Sequence, residues 1–285
     1  MIASQLEHPL TLQPKQYEAA HSQLIAATQG SDISVLKQFT PHSLVEQNTA
    51  ALMNRMDSKY LLPISFFNTL MLTLANDYSI LAAYGKRIFN YQTTYFDNKN
   101  KKFYLDHHNG KLNRYKIRFR RYVESNMGFI ESKYKNNKKR TIKLRIPMDC
   151  TLPDQERINQ FVKQTLGYAT KLETALFVNY HRITLLNKQN LERITIDLNL
   201  SFRNAVDQRQ SIQNKVFIVE IKQENKKQPS VCDHVLKKHG YHTINFSKYC
   251  MGTILTTATS NNSPAVKYNH FKPVMQQLEK LNTLP

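Results

Sequence analysis

Along much of the chain apolar and polar residues alternate, the period of a β-strand with two unlike faces. Over residues 114–120, bases at 114, 116, 118 and 120 alternate with Tyr115, Ile117 and Phe119. Residues 128–135 repeat the arrangement, with Glu131, Lys133 and Lys135 opposed to Ile130 and Tyr134, and residues 138–145 supply a third basic segment. The longest alternation covers 191–203 and predicts one continuous polar face from Arg193, Thr195, Asp197, Asn199, Ser201 and Arg203. Its other face carries Ile194, Ile196, Leu198, Leu200 and Phe202. Further strands are predicted over 54–63, stopped by Pro63, which cannot donate to a ladder, and over 91–96, 103–107, 172–186 and 216–222. Asn109-Gly110 reads as a hairpin-type turn.

Helical spacing appears over 64–74, 153–166, 229–238, 247–256 and 275–281. Asp154 and Glu156 sit where a helix N-terminus favours acids, and Gly240 separates the fourth helix from the third. Residues 1–50 read as an extension of short helices (Leu24, Ile25; Leu36, Phe39) broken at Gly30-Ser31-Asp32. Residues 51–256 read as the main domain, and 257–285 as a polar linker with a terminal helix.

Charge sharpens this picture. The 285 residues carry a formal charge of +19. Residues 99–145 hold 16 of the Lys and Arg against 3 acids. Like charges on neighbouring strands repel, so a fold that collects them needs a polyanion or an open, solvated face. The partner expected is a nucleic acid, a phosphate polymer, a nucleotide or an anionic membrane surface. Cys150, Cys232 and Cys250 are widely spaced without a C-x-x-C, which argues against a disulfide framework and a zinc ribbon. Cys232, His234, His239 and His242 suggest a zinc set, but His234 and His239, five apart on a helix, face different ways. The N-terminus lacks the pattern of a signal peptide, and no apolar run approaches the roughly 18 residues of a membrane span. A soluble, cytoplasmic protein is expected.

Strands with charge on one side and apolar residues on the other suggest an α+β fold. The expectation is a closed eight-stranded antiparallel β-barrel, apolar faces outward under helices and bases lining a lumen. Ions taken out of water cost several kcal/mol each, so such a lumen must hold water and a polyanion.

Eight motifs then fall in order: Asp57-Ser58-Lys59-Tyr60-Leu61-Leu62, Thr94-Tyr95-Phe96-Asp97, Arg118-Phe119-Arg120, Glu131-Ser132-Lys133, Tyr180-His181-Arg182, Arg193-Ile194-Thr195-Ile196-Asp197, Val219-Glu220-Ile221-Lys222 and Phe246-Ser247-Lys248-Tyr249. Over residues 54–252 they resemble the polyphosphate polymerase domain of the vacuolar transporter chaperone (VTC) complex, one of the triphosphate tunnel metalloenzymes. The resemblance implies an ATP-polyphosphate phosphotransferase of single-domain bacterial type, using Mn²⁺ or Mg²⁺. It assigns Arg118, Arg120, Lys133, Arg182 and Arg193 to the reacting phosphates, and Lys59, Ser247 and Lys248 to substrate binding. Of Lys138 to Lys143 one member reaches the same site, with Lys143 the candidate, and Glu220 would bind the metal. Glu131 and Asp197 would support that metal from a distance. Ser132 and His181 depart from the pattern, where a base and an Asn are common.

Implied partners are ATP, polyphosphate, pyrophosphate or triphosphate, and a membrane protein that receives the product. Two rivals stand beside this. One is a tunnel-fold triphosphatase acting on tripolyphosphate, nucleotide or RNA 5′-triphosphate, although its paired Glu-x-Glu-x-Lys strands are incomplete at Asp57-Ser58-Lys59 and Glu220-Ile221-Lys222. The other is a non-catalytic module for polyanions or single-stranded nucleic acid. Alternation argues against nucleic acid, because it places Tyr115 and Phe119 away from the bases.

Overall fold

The alternating stretches become strands wherever pairing lets their apolar positions meet a helix or another strand. The computed structural model describes residues 33–49, 56–138, 140–150, 154–224, 230–257 and 266–283. Strands β1 (Pro41–His42), β2 (Met56–Pro63), β3 (Tyr78–Leu81), β4 (Phe89–Asp97), β5 (Arg114–Tyr122), β6 (Met127–Lys135), β7 (Thr141–Met148), β8 (Glu173–Asn187), β9 (Arg193–Asn204), β10 (Gln210–Gln213) and β11 (Val216–Gln223) form one eleven-stranded sheet. The helices are α1 (Leu44–Thr49), α2 (Phe67–Leu74), α3 (Lys102–His108), α4 (Gln155–Leu166), α5 (Val231–Lys238), α6 (Lys248–Thr256) and α7 (Lys272–Asn282). Leu24, Ile25, the break at Gly30-Ser31-Asp32 and the polar linker over 258–265 lie outside the described residues.

The main path runs β2-β11-β9-β8-β4-β5-β6-β7, with every neighbour antiparallel. Eight strands are therefore in sequence, as a barrel would need, but the barrel does not close: β2 and β7 end the path without pairing. The free edge of β2 is already occupied. The Lys59 carbonyl accepts from the Ile244 amide at 2.8 Å, and the Leu61 carbonyl from Gln277 Nε2 of α7 at 3.3 Å. At the opposite end, β7 is exposed from Thr141 to Arg145.

Residues 103–107, expected as a strand, belong to helix α3. The cause is Asp97, 1% exposed at the end of β4. Its Oδ1 accepts from the Phe103 amide and its Oδ2 from the Tyr104 amide, both at 2.9 Å. A buried carboxylate that satisfies the first free amides of a helix fixes where that helix begins. Asn109-Gly110 accordingly ends a helix and joins no hairpin, with Gly110 at φ +66°.

The single polar face expected for β9 also fails, through one residue. Asn199 has φ +50°, and the register with β8 jumps from His181↔Leu198 to Asn179↔Ser201. This β-bulge inserts a residue and reverses the alternation. Ile194, Ile196 and Leu198 pack on the outer side with Leu70 and Met71 of α2. Leu200 and Phe202 turn inward to meet Tyr249 and Met251 of α6. Ser201 and Arg203 leave the charged face, and Arg203 lies 4.1 Å over the Phe177 ring instead.

The inner side of the sheet thus has two halves. One is charged; the other is apolar, where Leu61, Val178, Leu200, Phe202 and Ile218 are buried by α6 and α7. On the outer side, Ile117, Phe119 and Ile130 are covered by Phe161 and Val162 of α4, whose N-cap Asp154 accepts from the amides of Glu156 and Arg157. Helix α6 lies so close to the sheet that a Cβ at Gly252 would come within 2.4 Å of Phe202 Cδ1 and 2.6 Å of Leu176 Cδ2. Gly252→Ala should therefore destabilise the protein by about 2 kcal/mol, the scale of an overpacked core. Urea denaturation checks this; an unchanged midpoint would mean that α6 is free to shift.

A basic face as the candidate functional site

Residues directly opposite on paired strands share a face, and the register gathers the predicted residues on one. Lys59 stands opposite Glu220, Lys222 opposite Arg193, and Arg182 opposite Asp197. On the other half of the sheet Arg118 stands opposite Glu131, Lys116 opposite Lys133, and Lys133 opposite Lys143. Tyr91 faces both Tyr180 and Tyr122, and so joins the halves. Arg120 lies on this face two residues from Arg118. Helix α6 delivers the last two: Ser247 is its N-cap, accepting from the Cys250 amide, and Lys248 is its first residue.

Three carboxylates hold these cations in place. Asp197, 1% exposed, accepts from Arg182 Nε at 2.6 Å and Arg182 Nη2 at 2.8 Å, and also from Lys248 Nζ. Glu131 accepts from Arg118 Nε at 2.7 Å and lies 3.7 Å from Arg120 Nη1. Glu220 lies more loosely between Lys59 Nζ at 3.5 Å and Lys222 Nζ at 3.3 Å. Asp197 is thus a counter-ion of Arg182 and Lys248, and Glu131 of Arg118 and Arg120.

Glu220 shows how far the sheet curls. Burial works against its charge, but Lys222, Lys59, Lys133 and Arg182 outweigh that and hold the carboxyl well below the usual carboxylate range. Lys59 is on β2 and Lys133 on β6, near opposite ends of the path, so one carboxylate senses both. The cations show the reverse effect. Burial brings Lys222 down to about 7 despite Glu220, with Arg182 adding to the fall. Burial also lowers Lys133 well below the ordinary lysine value; Glu220 opposes this while Arg118, Lys143 and Lys116 reinforce it. Among the described residues the Lys133 ammonium has no hydrogen bond or ion pair.

Sequence reasoning missed three members of this face. Lys116 and Lys222 were visible in the alternation, but only burial marks them as unusual. Tyr180 was read as part of a motif, yet its hydroxyl is buried without a hydrogen-bond partner among the described residues. Burial raises its pKa, but Arg120 and Arg182 more than offset this and leave it below the ordinary phenol value. Tyr115 and Phe119 lie with the outer apolar cluster, away from the bases as expected, but Tyr91 and Tyr180 share the basic face. Arg182 lies 4.9 Å over Tyr91 and 5.1 Å over Tyr180, and Lys248 Nζ 4.5 Å over Tyr180. These rings lie against the cations as cation–π partners.

A family model for the VTC domain matches residues 54–257. The chain belongs to the VTC domain family. The match spans this VTC domain from the segment before β2 to the end of α6, and so includes every residue of the basic face. Solved structures similar to it include one from Bacillus halodurans named for adenylate cyclase, at 11% identity and TM-score 0.46, covering 68% of this chain and 94% of that one. Another is HpAC1 from Hippeastrum, named as an adenylyl cyclase with a dominant triphosphatase activity, at 12% identity and TM-score 0.45, covering 70% and 95%. No curated protein matches the chain in sequence. Among the described residues no helix is long and apolar enough to cross a membrane, and no cluster of three His, Cys, Asp or Glu could hold a metal.

The ion pairs give the VTC domain a defined acid limit. Burial raises the Glu131 pKa, but Arg118 and Arg120 bring it down to about 2. A carboxyl depressed in the folded state stabilises above its unfolded pKa, roughly 4.3, and loses that contribution as pH falls toward the folded value. Stability should therefore decline between roughly pH 4 and pH 2. Glu131→Gln should flatten this slope in urea titrations; an unaltered slope would show that Glu131 does not ionise as described.

Proposed function

We propose that this VTC domain transfers the γ-phosphate of ATP to the end of an inorganic polyphosphate chain. The observation that carries this reading is the surplus of half-buried cations on one face. Lys59, Arg118, Arg120, Lys133, Arg182, Arg193, Lys222 and Lys248, with the exposed Lys143 at their edge, share Glu131, Asp197 and Glu220 and the Asp57 opposite Lys222, and the Lys133 ammonium has no hydrogen bond or ion pair among the described residues. A polyanion would supply the missing charge and restore ordinary pKa values to the lysines.

Phosphoryl transfer asks mainly that phosphates be held in line and their charge offset. Arg118, Arg120, Arg182 and Arg193 would do so as planar forks suited to phosphate oxygens, and Lys59, Lys133, Lys143 and Lys248 as adaptable point charges. The Tyr180 hydroxyl and Arg120 Nε, both buried without a partner among the described residues, are donors in reserve. Ser247 and the N-terminal amides of α6 add the positive end of a helix.

Glu220 fits a hard divalent cation as a single carboxylate ligand. It is held ionised, and its ammonium contacts, at 3.3 Å and 3.5 Å, are loose enough to be exchanged. Mn²⁺ or Mg²⁺ bound there would draw its other ligands from phosphate and water and offset charge on the transferred group.

Transfer to phosphate is favoured over hydrolysis by the state of the carboxylates. A general base for water works best with a pKa near the operating pH, whereas cations depress Glu131, Asp197 and Glu220. The end of a polyphosphate is already ionised and needs no base. The test is γ-labelled ATP with Mn²⁺, with products resolved on a gel. A polyphosphate ladder is expected, reduced by at least about 100-fold in Arg120→Ala and Glu220→Ala, with unchanged circular dichroism. Orthophosphate alone would indicate a triphosphatase, and no turnover an anion-binding module.

A further inference from the structure

Lys116 has hydrogen-bond partners that do not suit an ammonium group. His107 of α3 accepts at Nδ1 from Arg114 Nε, 3.0 Å away. Arginine can only donate, so Nδ1 carries no proton. Burial, with Lys116, Arg114, His270 and Lys135 nearby, brings the His107 pKa down to about 2 and keeps the ring neutral. Its one proton is therefore on Nε2, which lies 3.3 Å from Lys116 Nζ. An N–H facing an ammonium sets donor against donor. The contact is a hydrogen bond only when Nζ offers a lone pair, as a neutral amine does. That amine can donate in turn to Ser247 Oγ, 3.1 Å away at the N-cap of α6.

The charges around Lys116 agree with this tautomer argument. Burial brings its pKa down to about 8; Cys250 of α6 opposes the fall, while Lys59 of β2 and Arg114 and Arg118 of its own strand reinforce it. Lys133 of β6 stands directly opposite. No carboxylate is hydrogen-bonded or ion-paired to Lys116 among the described residues.

We propose that Lys116 is an additional ligand for the bound polyanion, held as a neutral amine by His107 in the empty site and protonated as the polyanion arrives. The step balances: one proton from solvent adds to the Nζ lone pair, and the new ammonium turns from the His107 N–H toward a phosphate oxygen. His107 is a positioning residue, acting only through Lys116. The inference rests on the reading of this face as a polyphosphate site.

Proton uptake upon binding is the quantity to measure. Tripolyphosphate is titrated into the purified protein by calorimetry at roughly pH 8.5 to 9, between the shifted and ordinary lysine values, in buffers of differing ionisation enthalpy. The wild-type protein should take up protons as it binds. Lys116→Arg, which keeps a charge that cannot be lost, should still bind but take up measurably less, by up to one proton per site. His107→Phe, which removes the Nε2–H, should shift the pH at which uptake is largest. Binding by Lys116→Arg with undiminished uptake would overturn this proposal and leave the polyphosphate reading standing. Failure of the wild-type protein to bind tripolyphosphate would overturn both. Binding by Lys116→Gln as tight as wild type would also overturn the role of Lys116 as a ligand.

Discussion

The protein depends on keeping a crowd of like charges on one side of a curled sheet. The main counter-charge is supplied by Glu131, Asp197 and Glu220, each facing two cations: Asp197 and Glu220 face cations from two elements, and Glu131 faces two arginines of β5. The pairs differ in tightness. Asp197 and Glu131 are bound closely by arginine, and removing one partner of such a buried pair is costly. Among the described residues Glu220 has its ion pairs with two lysines, at longer range. The first two therefore fix the arrangement of strands and α6, while the third stays available to other ligands.

Most of this face was legible because strand alternation has a period of two, so residues such as Arg118, Arg120 and Lys133 could be placed together from the sequence. Alternation cannot reveal where it changes phase. Asn199 looks like another polar residue in a regular run, and only its positive φ shows the bulge that turns Leu200 and Phe202 inward. The end of β4 was equally opaque. The hydrogen bonds from Phe103, Tyr104 and Tyr249 to Asp97 span up to 152 positions, and local propensity carries no trace of such a contact. Closure was misjudged for a related reason, since the edge of β2 is occupied by groups that follow it by more than 180 residues.

Helix α6 ties the charged half to the apolar half. Its first turn places Ser247 and Lys248 among the cations, and its body is anchored by Tyr249, Met251 and the close approach at Gly252. Tyr249 also donates to Asp97, the carboxylate that starts α3, which in turn carries His107 to Lys116. One buried carboxylate thus aligns two helices whose ends both reach the basic face.

The bulge at Asn199 has a consequence for traffic. Past it the inner side is covered by α6 and α7, so the charged half is bounded there by packed apolar side chains. If this face builds polyphosphate as proposed, a chain held on it would have to grow away from that covered side.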